Sequence, residues 1–308
     1  MRRRAVVVAV AGLAAAMALP AVPADPAPAS ASAGFELALV DLRGRKQSLG
    51  ALPASVFAPR LSPDGRQVLF ELADEANADA PASTRLYVAP IDDLTKRRAL
   101  PLVGTGQNWA GVWTDDGQRV VFLVGGSEPG GLYWRRADGT GEAERLVDGR
   151  APEGVYGNGR QLAYITLTGN RDYGVSMLDL ASRESTPLVD RPGSEQHSSR
   201  VSPDLRWIAY VSNETGRQEV WLEPLPQNGK RYQLTRDGGS HPLWSPDGTT
   251  LYFDRDRRMY RMRLFFGAEM PKASAPEALR IRGFQQGDLR RQFDLTPDGR
   301  RFLLLFPR

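Results

Sequence analysis

The apolar residues of this chain fall into short runs, and each run follows a turn sequence of nearly fixed form. An apolar residue, a small polar residue and then Pro-Asp-Gly make up this turn phrase, as in Leu61 to Gly65 and Trp244 to Gly248. Proline presets φ at the first corner, aspartate accepts hydrogen bonds from the backbone ahead, and glycine adopts the positive φ that reverses the chain. Each copy therefore predicts a β-hairpin.

The turn phrase occurs six times, with its Asp or Asn at positions 64, 116, 158, 204, 247 and 298. The third copy is degraded, because Asn158 replaces the Pro-Asp pair, and the fourth has Leu205 in place of glycine. Consecutive copies are 42 to 52 residues apart. A period near 45 residues with strand-like content is typical of the four-stranded blades of a β-propeller.

The run after each turn is apolar on both faces, as in Phe302 to Phe306. A strand packed between two neighbouring sheets has this pattern, whereas a one-sided sheet shows strict alternation. A third strand follows at a steady distance, for example at Arg85 to Val88 and Glu219 to Leu222. A polar turn then leads to a fourth strand, as at Lys230 to Leu234. Each unit is therefore predicted to be a four-stranded antiparallel meander.

The two ends of the chain complete one such unit. The sixth copy stops at Arg308 after two strands, whereas Phe35 to Leu42 and Arg45 to Leu49 have the pattern of a third and a fourth strand. If both termini share one blade, the ring closes and no sheet edge is left unpaired. The sequence thus predicts an all-β, six-bladed β-propeller over residues 35–308, closed by N-terminal strands that join the C-terminal blade.

The first residues have the pattern of a secretory signal peptide, with Arg2 to Arg4 before an apolar run from Ala5 to Leu19. We expect a signal over residues 1–24, cleaved after Ala24 or as late as Ala33, and an Ala/Pro/Ser linker over 25–34. The alternative is an uncleaved N-terminal anchor, although the run is short for a spanning helix. After cleavage we expect a periplasmic or extracellular protein without membrane attachment.

Charge and cysteine content narrow the partners. The formal net charge is +4, and without Arg2 to Arg4 and Asp25 the chain keeps 37 basic and 35 acidic residues. So balanced a domain has no electrostatic footprint for nucleic acid. Cysteine is absent, which excludes disulfides and thiolate metal sites. We expect a monomer without a cofactor.

The turn phrases at Ser202 to Ser212 and Trp244 to Gly248 resemble the TolB-type, WD-repeat-like propeller repeats of bacteria. The resemblance covers nearly all of residues 35–308, is closest from Ser198 to Gly248, and implies a propeller fold without specifying a function. TolB itself carries an α/β domain before its propeller, and kinase and peptidase relatives carry a catalytic domain. We expect this chain to be the propeller alone.

A search for catalytic motifs finds none. The nearest match to a Gly-x-Ser-x-Gly elbow, at Gly238 to Pro242, is broken by Pro242. With His197 and His241 as the sole histidines, a multi-histidine metal site is excluded, and no EF-hand spacing occurs. The sequence therefore predicts no catalytic or metal-binding residues.

Residues six to eight positions before each turn Asp should begin the innermost strand and surround one mouth of the central channel. The predicted rim mixes an aromatic residue, histidines and arginines, as binding sites do: Asn108, Trp109, Arg150, His197, His241, Arg290 and Arg291. The alternative is that they are solvated loop residues.

The sequence favours a non-enzymatic binding or scaffold module of the cell envelope that engages a protein or peptide at a channel mouth. One alternative is a propeller enzyme, either a hydrolase or lyase using channel-mouth carboxylates or a lactonase-like enzyme that depends on a divalent metal. A second is a sensor domain for a small ligand.

Overall fold

Six antiparallel β-sheets, arranged as the blades of a propeller, make up the described part of the chain in this computed structural model. The structure describes residues 34–74, 83–104, 107–126, 130–168, 172–267 and 270–308. The predicted signal peptide and all but the last residue of the predicted linker lie outside this part.

The first three blades are consecutive in the chain, and each places its first strand at the edge of the sheet that faces the centre. The first contains β3 (Val56–Leu61), β4 (Gln67–Asp74), β5 (Ser83–Pro90) and β6 (Arg98–Ala99), with a 3-10 turn at Leu94–Lys96. The second contains β7 (Gln107–Trp113), β8 (Arg119–Gly125), β9 (Gly131–Arg136) and β10 (Glu144–Val147). The third contains β11 (Ala151–Tyr156), β12 (Gln161–Leu167), β13 (Tyr173–Asp179) and β14 (Ser185–Val189).

The remaining three blades follow the same plan with one addition. The fourth contains β15 (Gln196–Val201), β16 (Trp207–Ser212), β17 (Glu219–Pro224) and β18 (Tyr232–Gln233). The fifth contains β19 (Ser240–Trp244), β20 (Thr250–Arg255), β21 (Arg258–Phe265), β22 (Lys272–Ala273) and β23 (Glu277–Arg282). The sixth contains β24 (Phe293–Leu295), β25 (Arg301–Pro307), β1 (Phe35–Asp41) and β2 (Lys46–Leu52). In the fifth blade β22 and β23 both pair with β21, so this sheet has five strands instead of the expected four.

The sixth blade joins the two ends of the described chain. Strand β1 pairs antiparallel with β25 over its whole length, from Phe35 opposite Pro307 to Asp41 opposite Arg301. Strand β2 pairs with the outer side of β1, and β24 pairs with the inner side of β25. The predicted closure by N-terminal strands in the C-terminal blade is therefore confirmed.

Each pair of neighbouring blades encloses its own hydrophobic cluster, and the second strand of a blade contributes to the clusters on both of its sides. Leu303 and Leu305 pack toward the first blade, whereas Phe302 and Leu304 pack toward the fifth. All four side chains are fully buried. This arrangement is the physical reason why these runs are apolar on both faces.

The turn phrase forms a hairpin that is held by its own side chains. In the first blade the Ser62 hydroxyl donates to Asp64 Oδ1 at 2.6 Å and accepts from the Gln67 backbone N–H at 2.9 Å. The backbone N–H of Gly65, at φ +70°, donates to the carbonyl of Ser62. The surface that carries these turns is called the turn face below.

The turns also pack on one another around the ring, with the proline of one blade against the glycine of the next. A Cβ placed on Gly117 would lie 3.4 Å from Cδ of Pro63, and one on Gly299 would lie 2.8 Å from Cδ of Pro246. The third blade lacks the proline, and Leu205 of the fourth blade, at φ +61°, reaches toward Gly157 there. The irregular third and fourth copies are neighbours, and we infer that the leucine takes up space that a proline occupies elsewhere. The second copy also lacks the proline, because Asp115 stands in its place.

We expect Gly299→Ala to destabilise the protein more than Gly141→Ala. Both glycines have φ near +70°, but no atom lies within 4 Å of a Cβ placed on Gly141. The backbone strain, about 1 kcal/mol, is common to both variants, whereas contact with the rigid Pro246 ring adds about 1–3 kcal/mol at position 299. Urea unfolding measures the difference, and equal losses would show that the turns do not pack tightly.

Candidate functional site

The innermost strands bend at equivalent points as they line the central channel. Register shifts interrupt their pairing in the first, second, fourth and fifth blades, and in each a residue with positive φ stands at the shift: Ala58, Ala110, Ser198 and His241. A β-bulge of this kind bends the strand and changes the direction in which the next side chains point. Side chains from blades that are not adjacent can therefore meet at the centre.

A loop of residues 283–292, called the crossing loop below, connects β23 to β24 and reaches blades on other sides of the channel. The Ser198 hydroxyl donates to the carbonyl of Leu289 at 3.2 Å, which ties the loop to the fourth blade. The Gln292 side chain accepts from the Ala58 backbone N–H at 2.8 Å, which ties it to the first. These contacts lie toward the N-terminal ends of the inner strands, opposite the turn face.

Arg290 anchors the crossing loop to two further strands. Its Nη1 lies 2.6 Å from Oε2 of Glu71, and Oε1 of Glu71 accepts from the Ala110 backbone N–H at 2.8 Å. The guanidinium also lies 4.8 Å from the ring of Trp109, within cation–π distance. The Glu71 side chain is 2% exposed, so truncating Arg290 would leave a buried carboxylate without its charged partner.

The structure brings some members of the predicted rim together and assigns others to local contacts. Trp109 and Arg290 stack on each other, as described above. Asn108 is buried, and its amide bonds to the backbone N–H and C=O of Val103 at 2.9 and 3.0 Å. Arg150 is half-buried, and its side chain contacts no charged group in the part of the chain that the structure describes.

Both predicted histidines are buried on adjacent blades. Nδ1 of His241 lies 2.8 Å from Oδ1 of Asp254, and Nδ1 of His197 lies 3.0 Å from the Ser198 hydroxyl. Burial, with a smaller contribution from nearby His241, lowers the pKa of His197 to about 3. His197 is therefore neutral near pH 7.

Arg291 belongs to a charged cluster at the centre of the ring. The sequence analysis predicted none of the other members of this cluster. The side chains come from the first, third, fourth and sixth blades, and we call them the central cluster: Arg60, Glu153, Arg200, Arg291 and Asp294. Arg60, Arg200 and Asp294 stand four positions before their turn Asp, and Glu153 stands five before Asn158. Charged residues that recur four or five positions before the turn Asp or Asn, in strands that are otherwise buried, were the sequence signal that could have revealed this cluster.

A depression of about 560 Å³ opens beside the central cluster on the turn face. Tyr156 and Arg200 line its inner part, and Leu205 and Trp244 belong to its outer part. Next to it lies a patch of aromatic rings, in which Phe266 stacks on Trp207 at 4.9 Å.

The large apolar side chains of this patch are unusually exposed to solvent. Phe265, Phe266 and Met270 are 56%, 42% and 57% exposed, and Leu205 on the nearby turn is 41% exposed. Tyr232 of the fourth blade contacts the opposite side of Trp207, with ring centres 6.3 Å apart. Clustered exposed apolar side chains commonly mark interaction surfaces.

The described residues show neither clustered metal ligands nor a membrane-spanning helix. They contain no group of three or more His, Asp or Glu side chains placed to hold a metal ion. Nor do they contain a helix of the length and apolar character that a membrane crossing requires.

The fold is that of TolB-like propellers. A protein assigned as TolB in Agrobacterium tumefaciens superposes with a TM-score of 0.68 at 16% identity, covering 89% of this chain and 98% of that one. TolB from Acinetobacter baumannii gives 0.56 at 14% identity, covering 90% and 64%. The tricorn protease gives 0.59 at 12% identity, covering 84% of this chain and 27% of the protease. No protein-family model and no curated protein matches the chain by sequence. At such identities the likeness concerns the fold.

We expect the stability of the protein to fall in mild acid because of His197. The unfolded chain binds a proton at this histidine near pH 6.5, whereas the folded protein does so only near pH 3. The unfolded state therefore holds more protons between these values, and the free energy of unfolding decreases as the pH is lowered through this window. The expected loss from pH 6.5 to pH 5 is about 2 kcal/mol.

Urea unfolding of the wild type and of His197→Gln at pH 7 and pH 5 measures this contribution. The variant should lose about 2 kcal/mol less than the wild type over that interval. Equal losses in the two proteins would mean that His197 is not held neutral by burial.

Proposed function

We propose that this chain is an exported, non-enzymatic binding propeller of the bacterial cell envelope. Its partner is a protein or peptide that docks on the turn face, at the channel mouth that the crossing loop leaves uncovered. The observation that carries this proposal is the apolar patch around Phe266, which adjoins the depression at that mouth. The TolB-like propeller fold is compatible with a scaffold role.

The chemistry of the patch favours an apolar segment of a partner. Trp207, Tyr232 and Phe266 form a continuous group of rings, and aromatic residues contribute strongly to binding when a partner removes them from water. Arg206 and Arg263 are exposed at the two strand ends nearby. A segment with apolar side chains flanked by acidic ones would match this surface.

A second candidate function is the sensing of a small ligand, which the charged residues of the central cluster favour. The enzymatic alternative has less support, because no catalytic arrangement is evident among the described residues. That the seven predicted rim residues bind a partner stays a prediction. Arg290 and Arg291 belong to the crossing loop, and Arg290 contacts Trp109.

We expect Phe266→Ser to weaken capture of the partner from cell-envelope extracts by about tenfold, because the central ring of the patch is lost. Leu167→Ser is the matched control. Leu167 is 41% exposed, close to the 42% of Phe266, but it ends β12 on the opposite face. Quantitative pull-down with both variants and the wild type, each checked for an unchanged unfolding midpoint, measures the effect.

The outcomes of this pull-down distinguish between the proposed functions. Loss of the same captured protein with Phe266→Ser and its retention with Leu167→Ser support docking on the turn face. Equal capture by all three proteins contradicts it. Turnover that is abolished by a chelator would favour the enzymatic alternative.

A further inference from the structure

The central cluster contains more positive than negative groups. Its three arginines, Arg60, Arg200 and Arg291, face two carboxylates, Glu153 and Asp294. Arg60 lies on the first blade and Arg200 on the fourth, on opposite sides of the ring, and their charges still act on each other. The two guanidinium groups therefore influence each other across the channel, without a direct contact between them among the described residues.

Asp294 is committed to partners, whereas Oε2 of Glu153 is buried and accepts no hydrogen bond from any described residue. Asp294 accepts from the Leu61 backbone N–H at 2.9 Å and lies 3.1 Å from Nη2 of Arg291. Glu153 Oε2 lies 3.7 Å from Nη1 of Arg200. Arg60 donates to the carbonyls of Pro59 and Phe293 and forms no ion pair with any residue that the structure describes. One guanidinium of the cluster therefore has no direct ion pair, although the charges of Asp294 and Glu71 act on it.

Several donors of the cluster are also buried without an acceptor among the described residues. They are Nε and Nη1 of Arg291 and Nε of Arg60. Both side chains are more than nine-tenths buried. Burial and the neighbouring Arg200 lower the pKa of Arg291, although a guanidinium keeps its charge in proteins. A buried charge with free N–H groups is unfavourable unless an anion satisfies it.

The depression on the turn face reaches the central cluster at Arg200. The 560 Å³ depression has Arg200 and Tyr156 among its lining residues. Oη of Tyr156 is buried without a partner among the described residues, and this hydroxyl is a further potential donor. The side of the channel away from the turn face is the side that the crossing loop covers.

We propose that the centre of this propeller binds a compact oxyanion, a carboxylate or phosphate group of a small molecule, between Arg60, Arg200 and Arg291. The planar guanidinium group donates two parallel hydrogen bonds to the two oxygens of such a group. Glu153 limits the affinity, because its carboxylate competes for Arg200. This site does not depend on the protein partner proposed above.

The test uses the purified chain with inorganic phosphate, acetate, succinate and chloride as probes at equal ionic strength. Binding of each probe is measured by the shift of the thermal unfolding midpoint and by titration calorimetry. We expect a saturable rise of the unfolding midpoint with phosphate or with the carboxylates but not with chloride. Response to phosphate alone identifies a phosphate site, and response to acetate or succinate alone identifies a carboxylate site. Absence of saturable binding by every probe would overturn the proposal.

Two variants locate the site. Arg200→Gln should weaken binding of the active probe by about tenfold, since one guanidinium is lost. Arg66→Gln, which alters an exposed arginine in the first-blade turn on the same face, should leave the affinity unchanged. Glu153→Gln removes the competing carboxylate and should tighten binding by about threefold.

Glu153→Gln also decides the question if Arg200→Gln fails to fold, because the two substitutions are expected to act in opposite directions. Affinity that does not change in Glu153→Gln, or that falls as much in Arg66→Gln as in Arg200→Gln, would place the anion elsewhere. Loss of anion binding with intact partner capture would leave the proposed docking role standing.

Discussion

Packing of each blade against both of its neighbours is the constraint on which the rest of this structure depends. A four-stranded sheet that is apolar on both faces is not stable by itself in water, because it must bury both faces against other elements. The six hydrophobic clusters supply those contacts, one between each pair of blades. A closed ring is the arrangement in which no blade has an uncovered face. Since the chain has no cysteine, closure depends on the pairing of β1 with β25 and on this burial.

The same ring geometry makes the centre polar. Six inner strands converge there, and their side chains meet residues from blades that are far apart in the sequence. Two kinds of contact result. Arg290 and Glu71 form a buried ion pair that holds the crossing loop, whereas the central cluster keeps an excess of positive charge. A fully paired network stabilises a fold, and an incompletely paired one commonly marks a ligand site.

The two faces of the disc are consequently different. The crossing loop occupies the side at the N-terminal ends of the inner strands, and the exposed apolar patch around Phe266 lies on the turn face. The turn face also carries the pair of irregular turns, where Leu205 stands against Gly157. The irregular pair coincides with the depression beside the central cluster, so the change in the repeat and the proposed binding surface are at the same place.

The sequence by itself determined the blades, their number and the closure, because these depend on local information. A Pro-Asp-Gly turn specifies a hairpin wherever it occurs, and unmatched strands at Phe35 and Phe302 specify which termini pair. The identity of the channel residues was decided by tertiary structure. Counting back from the turn Asp led to Asn108 and His197, whereas the β-bulges shift the register and bring Arg60 and Arg200, four positions before the Asp, into the central cluster. The crossing loop was equally invisible in the sequence, since its partners Glu71 and Ser198 lie 219 and 91 residues from the positions they contact. Contacts over such separations depend on how side chains from distant blades meet inside the closed ring, which no local pattern encodes.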